Sequence, residues 1–147
     1  MKTPNRLPLI LIAEDNLDHA FFLTEALAEV GLTDVVHAMD GLECLNRLGL
    51  SQELKGLQQL LPDLLLLDIR MPRMNGLEVM NRIQQASMSL PVVVMSTSAE
   101  TADVENMRGM GAQAYVRKPS GFEGYLRFAE QLRSWWLQGD PLPNEHL

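Results

Sequence analysis

Two short apolar runs, each ending in acid, limit what this chain can fold into. Leu9-Ile10-Leu11-Ile12-Ala13 stops at Glu14-Asp15, and Leu64-Leu65-Leu66-Leu67 stops at Asp68. Runs of this length without polar interruption suit strands covered on both faces, the pattern of a parallel sheet. If the two strands are parallel neighbours, their three carboxylates meet at one sheet edge. Like charges so placed need a positive partner, and a hard divalent cation with oxygen ligands, Mg2+, meets that need.

The rest of the composition narrows the class. The 147 residues, 46% of them apolar and 21% charged, suit a single globular domain able to bury a core without disulfides. A formal charge of -7 with no basic patch argues against nucleic acid and against anionic membrane surfaces. Cys44 is the sole cysteine, which suits a reducing cytoplasm, and it reads as a small apolar residue on a helix face. Lys2 and Arg6 precede the first apolar run, but that run is short and has no small-residue cleavage site. It is read as a buried first strand, not as an export signal.

Strand-like and helix-like segments alternate along the chain. Asn16 can cap a helix over residues 17 to 30, with Ala20, Leu23, Leu27 and Val30 at helical spacing and Gly31 ending it. A second strand over 34 to 38 leads to a helix capped by Asp40, and a polar insert over 49 to 61 precedes the third strand. The loop Met71-Pro72-Arg73-Met74-Asn75-Gly76 opens a helix over 77 to 85, and Pro91 introduces a strand over 92 to 95. A polar helix over 101 to 110, a strand over 114 to 117 and a last helix over 122 to 137 complete the order. The tail 138–147 carries Gly139, Pro141 and Pro143 and reads as an extended arm. Five strands, each followed by a helix, predict a doubly wound α/β fold with helices on both faces of a five-stranded parallel sheet. Ligands of such sheets lie beyond the carboxyl ends of the strands, where Glu14, Asp15, Asp68, Ser96 and Lys118 all fall.

These residues also carry a resemblance. Glu14-Asp15-Asn16, Leu67-Asp68-Ile69-Arg70-Met71-Pro72 with Asn75-Gly76, Ser96 after four apolar residues, and Lys118-Pro119 together resemble the receiver domain of two-component response regulators. The likeness spans about residues 8 to 137, so 1–147 is read as one receiver domain with its tail. Within that family the chain is most similar to single-domain regulators of phytochrome-type histidine kinases. The insert, the Ser96-Thr97-Ser98 run and Trp135-Trp136 carry that narrower likeness.

The resemblance implies a flavodoxin-like (β/α)5 fold and a set of roles. Asp68 would accept the phosphoryl group from a histidine kinase. Mg2+ would be held by Asp15, Asp68 and the backbone carbonyl of Arg70, with Glu14 acting through water. Lys118 and Ser96 would contact phosphoryl oxygens, and Tyr115 would turn inward as Ser96 moves toward the phosphoryl group. The chain would be a signalling protein, with only the chemistry of gaining and losing its own phosphoryl group, and not an enzyme. Arg70 and Ser98 depart from common choices at positions flanking the hydrolytic water, and Ser120-Gly121 replaces an aromatic after Lys-Pro. Lys118-Pro119 is a candidate cis peptide.

Other readings remain open at this point. A haloacid-dehalogenase-like phosphatase would want an Asp where Arg70 stands, and a flavodoxin-like FMN binder would want a phosphate loop where Glu14-Asp15-Asn16 stands. A phosphorylation-independent interaction module is the third. His19, His37 and His146 lack metal-ligand spacing and are read as surface or helix-face residues, and Met71, Met74 and Met95 as packing. With ten residues after Leu137, readout is expected through protein contact. A homodimer is expected on the face of the fourth helix, fifth strand and fifth helix. Its basis is that Phe128 and Trp135 fall off the apolar stripe of Phe122, Tyr125, Leu132 and Trp136.

Overall fold

The computed structural model describes residues 6–51, 59–97 and 101–144. Ser98, His146, Lys2 and most of the polar insert lie outside them. The elements are β1 (Ile10–Ala13), α1 (Leu17–Glu29), β2 (Val35–Ala38), α2 (Gly41–Arg47), β3 (Leu64–Asp68), α3 (Gly76–Gln85), β4 (Val92–Ser96), α4 (Thr101–Gly109), β5 (Ala114–Arg117) and α5 (Phe122–Gln138). All strand pairs are parallel, in the order β2-β1-β3-β4-β5. The chain leaves β1 for β2 on one side and returns to β3 on the other, so the switch of strand order falls between β1 and β3. Their ends carry the three acids.

Why the strands are uniformly apolar is visible in the packing. Alternate side chains of each strand serve opposite faces. Ile10, Ile12, Leu64 and Leu66 pack under α1 and α5 with Leu23, Leu27, Tyr125, Phe128 and Leu132. Leu11, Leu65, Leu67 and Val94 pack on the other face with Leu45 of α2, Met80 and Ile83 of α3, and Met107 of α4. Each leucine of β3 is at most 1% exposed, which contributes on the order of 2 kcal/mol apiece.

Local signals set the helix starts. The Asn16 side chain accepts from the His19 backbone N–H at 3.1 Å, and Asp40 accepts from Glu43 at 2.9 Å, as the capping residues predict. Asn75 does the same for Glu78 at the start of α3. The N-cap of α5, Gly121, supplies no side-chain bond, so the Ser120-Gly121 departure leaves that start without a side-chain cap.

Three expectations are corrected. Lys118–Pro119 is trans, like every described peptide bond. Phe128 is buried at 3% exposure: Tyr125, Phe128, Ala129 and Leu132 recur at helical spacing and form the stripe, while Phe122 stays partly outside. The tail is not a free arm. Leu142 packs on the α1/α5 core, Pro143 is buried, and the Asn144 side chain accepts from the Tyr115 N–H at 3.2 Å.

The amino-terminal end of the sheet is closed by polar contacts. Asp63 takes two bonds from the Arg6 guanidinium at 2.6 and 2.8 Å and one from the Leu9 N–H at 2.8 Å. Arg6 lies 5.3 Å from the Trp136 ring centroid, and the Trp136 indole N–H donates to the Arg6 carbonyl at 2.8 Å. Trp135 packs partly on the α1/α5 core. Both tryptophans therefore have intramolecular partners at this end.

Candidate functional site

The carboxyl ends of β1, β3 and β5 bring Glu14, Asp68 and Lys118 to one point. The Lys118 ammonium lies 2.6 Å from Glu14 Oε1 and 3.3 Å from Asp68 Oδ2, and all three side chains are buried. Asp15, the next residue along, is exposed at the rim. One carboxylate oxygen from each of Glu14, Asp15 and Asp68 lies within 4.8 Å of the others.

Backbone contacts fix this geometry. Glu14 receives the Asn16 N–H on Oε2 at 3.1 Å, and its carbonyl accepts from His37 Nε2 at 2.6 Å. Lys118 is placed by its own N–H donating to the Ser96 carbonyl at 2.7 Å. Asp68 Oδ1 receives the Arg70 N–H at 3.3 Å, and the loop beyond turns back so closely that the Gly76 N–H donates to Ile69 at 2.7 Å. A Cβ on Gly76 would stand 2.6 Å from the Asp68 carbonyl oxygen, so only glycine fits there. The same loop is tied to α2: Arg73, held at φ 64, donates to Asp40 at 2.7 Å.

Burial and like charge give this site its electrostatics. The Asp68 carboxyl is pushed up to about 7, first by burial and then by Glu14, with Lys118 acting in the opposite sense. One ammonium between two buried carboxylates leaves excess negative charge, and Asp15 adds more at the rim. The Tyr125 hydroxyl, buried beneath, finds no hydrogen-bond partner among the described residues. It is pushed up to about 12 by burial and then by the charges of Glu14 and Asp68.

Ser96 ends β4 at 1% exposure. Tyr115 is buried at 3%, among the residues between the sheet and α2, α3 and α4, so in this structure it already stands inward. The Arg70 side chain leaves the site, its guanidinium 3.9 Å from Asp103 of α4. Met71 and Met95 are buried packing residues, as read from the sequence.

Sequence reasoning missed two histidines. His37 ends up on the Glu14 carbonyl, and His19 Nδ1 lies 3.1 Å from Lys118 Nζ and 3.9 Å from Glu14 Oε1. The signal for His19 was present: a side chain in the first turn of a helix points back toward the helix start, here the acidic end of β1. The His19 imidazole is held below its usual value by burial and then by Lys118.

Comparison with known proteins agrees with this arrangement. Residues 10–127 match the model of the response regulator receiver domain. The chain is 33% identical to the probable methanogenesis regulatory protein FilR2 of Methanothrix harundinacea over 132 residues, covering 88% of the chain and 83% of that protein. Several other curated relatives are longer, and the chain spans 26% to 45% of their length. Among solved structures, the phosphorylated cyanobacterial phytochrome response regulator RcpA is similar at 28% identity and a TM-score of 0.79, covering 95% of this chain and 100% of that one. The Mn2+-bound form of response regulator Rcp1 is similar at 27% identity and a TM-score of 0.76, covering 92% of this chain and 99% of that one. The match over most of the chain, on a fold whose switch point gathers the acids, shows that it belongs to the response regulator receiver domain family.

Proposed function

We propose that this protein takes a phosphoryl group from a histidine kinase onto Asp68 and passes the signal on by protein contact. The observation that carries the reading is the buried trio in which one ammonium, Lys118, lies within 3.3 Å of Asp68 while Glu14 crowds the same carboxylate. In the transfer, an Asp68 oxygen attacks the phosphorus of the donor's phosphohistidine. An O–P bond forms as the P–N bond breaks, and its electron pair returns to the donor's imidazole. Such a step needs positioning and neutralisation more than covalent help. Lys118 supplies a fixed positive charge for a phosphoryl oxygen, and the Ser96 hydroxyl donates to another.

The donor set fits Mg2+: three carboxylates supply hard oxygens within 4.8 Å, and the Lys118 ammonium already meets part of their demand for positive charge. Asp15 and Asp68 would bind it directly, with the Arg70 carbonyl, and Glu14 through water. Bound there, Mg2+ would neutralise charge on the transferring group. Phosphorylation would draw Ser96 toward the new group and alter the packing of Tyr115. The readout would follow on the α4-β5-α5 face, homodimerisation included. The similarity to phytochrome response regulators supports a phytochrome-type kinase as donor, in the cytoplasm.

The test is labelling by acetyl phosphate or by purified histidine kinases, with and without Mg2+. Acid-labile label should appear on the wild type and vanish in Asp68→Asn. Undiminished labelling of that variant would reject the assignment.

A further inference from the structure

Lys118 Nζ has three N–H donors and no acceptor capacity. Among the described residues three acceptors lie around it: Glu14 Oε1 at 2.6 Å, Asp68 Oδ2 at 3.3 Å and His19 Nδ1 at 3.1 Å. Two of these are charged and belong to the acidic set. The third is uncharged and comes from a different element, the first turn of α1. Because an ammonium can only donate, Nδ1 must present its lone pair, so the proton of a neutral His19 sits on Nε2. The helix start supports the neutral form, since α1 directs its positive end at this turn. The backbone that carries the ring is itself held, because the His19 backbone N–H is the one that Asn16 caps at 3.1 Å. Capping residue, helix turn, imidazole and ammonium thus form one connected series.

We propose that His19 is a positioning residue for phosphoryl acceptance, holding the Lys118 ammonium in place through Nδ1 without drawing on the acids. Coulomb attraction alone would draw the lysine fully onto Glu14 and Asp68, the two groups also needed for the cation and the phosphoryl group. With those carboxylates engaged elsewhere, His19 stays available to the ammonium as an acceptor that neither the cation nor the phosphoryl group claims. It fixes the direction in which Lys118 presents its remaining N–H groups. His19 touches neither the phosphoryl group nor the attacking oxygen, so it is not itself catalytic. The proposal rests on the receiver reading above and adds a residue to it.

The variants separate the acceptor from the bulk of the ring. In His19→Asn the amide oxygen can stand where Nδ1 stood, whereas His19→Leu keeps volume and removes the acceptor. Labelling from acetyl phosphate with Mg2+ should slow about fivefold to tenfold in His19→Leu and stay within about twofold of wild type in His19→Asn, that fold-change matching the net worth of a typical intramolecular hydrogen bond. Binding of beryllofluoride, read by NMR, should weaken in the same order. In the metal-free wild type, ¹⁵N shifts of His19 should report the Nε2–H tautomer, and Lys118→Met should weaken that preference. Wild-type rates in His19→Leu, equal slowing in both His19 variants, or an Nδ1–H tautomer would each overturn the proposal. If the wild type takes no label at all, the receiver reading fails instead, and the metal-free tautomer then decides whether the His19 contact stands.

Discussion

Asp63 and Asp68 flank the same strand, and their surroundings have opposite effects. Asp63, before β3, takes two hydrogen bonds from the Arg6 guanidinium and one from the Leu9 N–H. Its carboxyl is held below the usual range, chiefly by the hydrogen bonds from Arg6. Asp68, after β3, shares one ammonium with Glu14 and is pushed up to about 7. One end of the strand satisfies its carboxylate and helps to hold β1 and β3 together. The other end keeps a carboxylate under-compensated, which costs stability and, on the function proposed above, would leave it ready for a cation and an electrophile. The same side chain is satisfied or left crowded according to how many partners the backbone brings to it.

The largest test of this contrast is chemical. Asp68→Asn should reduce labelling by more than about a hundredfold, since no nucleophilic oxygen remains, while Asp63→Asn should stay within about twofold of wild type. Substantial loss in Asp63→Asn would show that the two ends are coupled.

Next in size is the backbone that shapes the reactive end. Gly76→Ala puts a methyl group against the Asp68 carbonyl and should cost about 2 to 3 kcal/mol in denaturant unfolding. Labelling should fall with it. An alanine variant of unchanged stability would mean that the loop yields and does not fix Asp68.

Relief of the crowded charge should be smaller. In chelator-treated protein, Asp68→Asn should raise unfolding stability by about 1 to 2 kcal/mol, because a buried repulsion is removed. Mg2+ at ten times its dissociation constant should stabilise the wild type by about 1.4 kcal/mol. Differential scanning fluorimetry should show that gain lost in Asp15→Asn and kept in Asp63→Asn. A gain kept in Asp15→Asn would remove that residue from the ligand set.

The smallest effect concerns the satisfied end. Asp63→Asn should cost about 1 kcal/mol, much of it from weaker pairing of the Leu9 N–H. Because the folded value of Asp63 is lowered, its contribution is complete above the ordinary carboxylate value near pH 4, about where the unfolded chain titrates, and disappears as pH falls through the folded value. Acid titration of stability should therefore be shallower in Asp63→Asn than in wild type.

The order of elements and the acidic edge were legible in sequence for one physical reason. Strands covered on both faces must be apolar throughout, so the first polar residue after each run marks the sheet edge. Asn16 and Asp40 announced their helices because capping is local. What stayed hidden depended on contacts distant in sequence: His19 with Lys118, Arg6 with Asp63 and Trp136, and Asn144 with Tyr115. Phe128 was misplaced because a helical wheel drawn from Phe122 starts on a residue that the fold leaves partly outside. The true stripe is centred on Phe128 and Ala129, both buried.

The Asn144 contact has a consequence for how this protein meets its neighbours. β5 is an outer strand, and the outward backbone groups of an edge strand are a template for pairing with another chain. Asn144 takes the Tyr115 N–H, while Pro141 and Pro143 have no N–H to offer a ladder. The protein thus shields that border of its sheet with a segment unable to extend it. Strand-by-strand pairing from this side should be hindered at that contact, and a variant cut back to Gln138 should be more prone to it in concentrated solution.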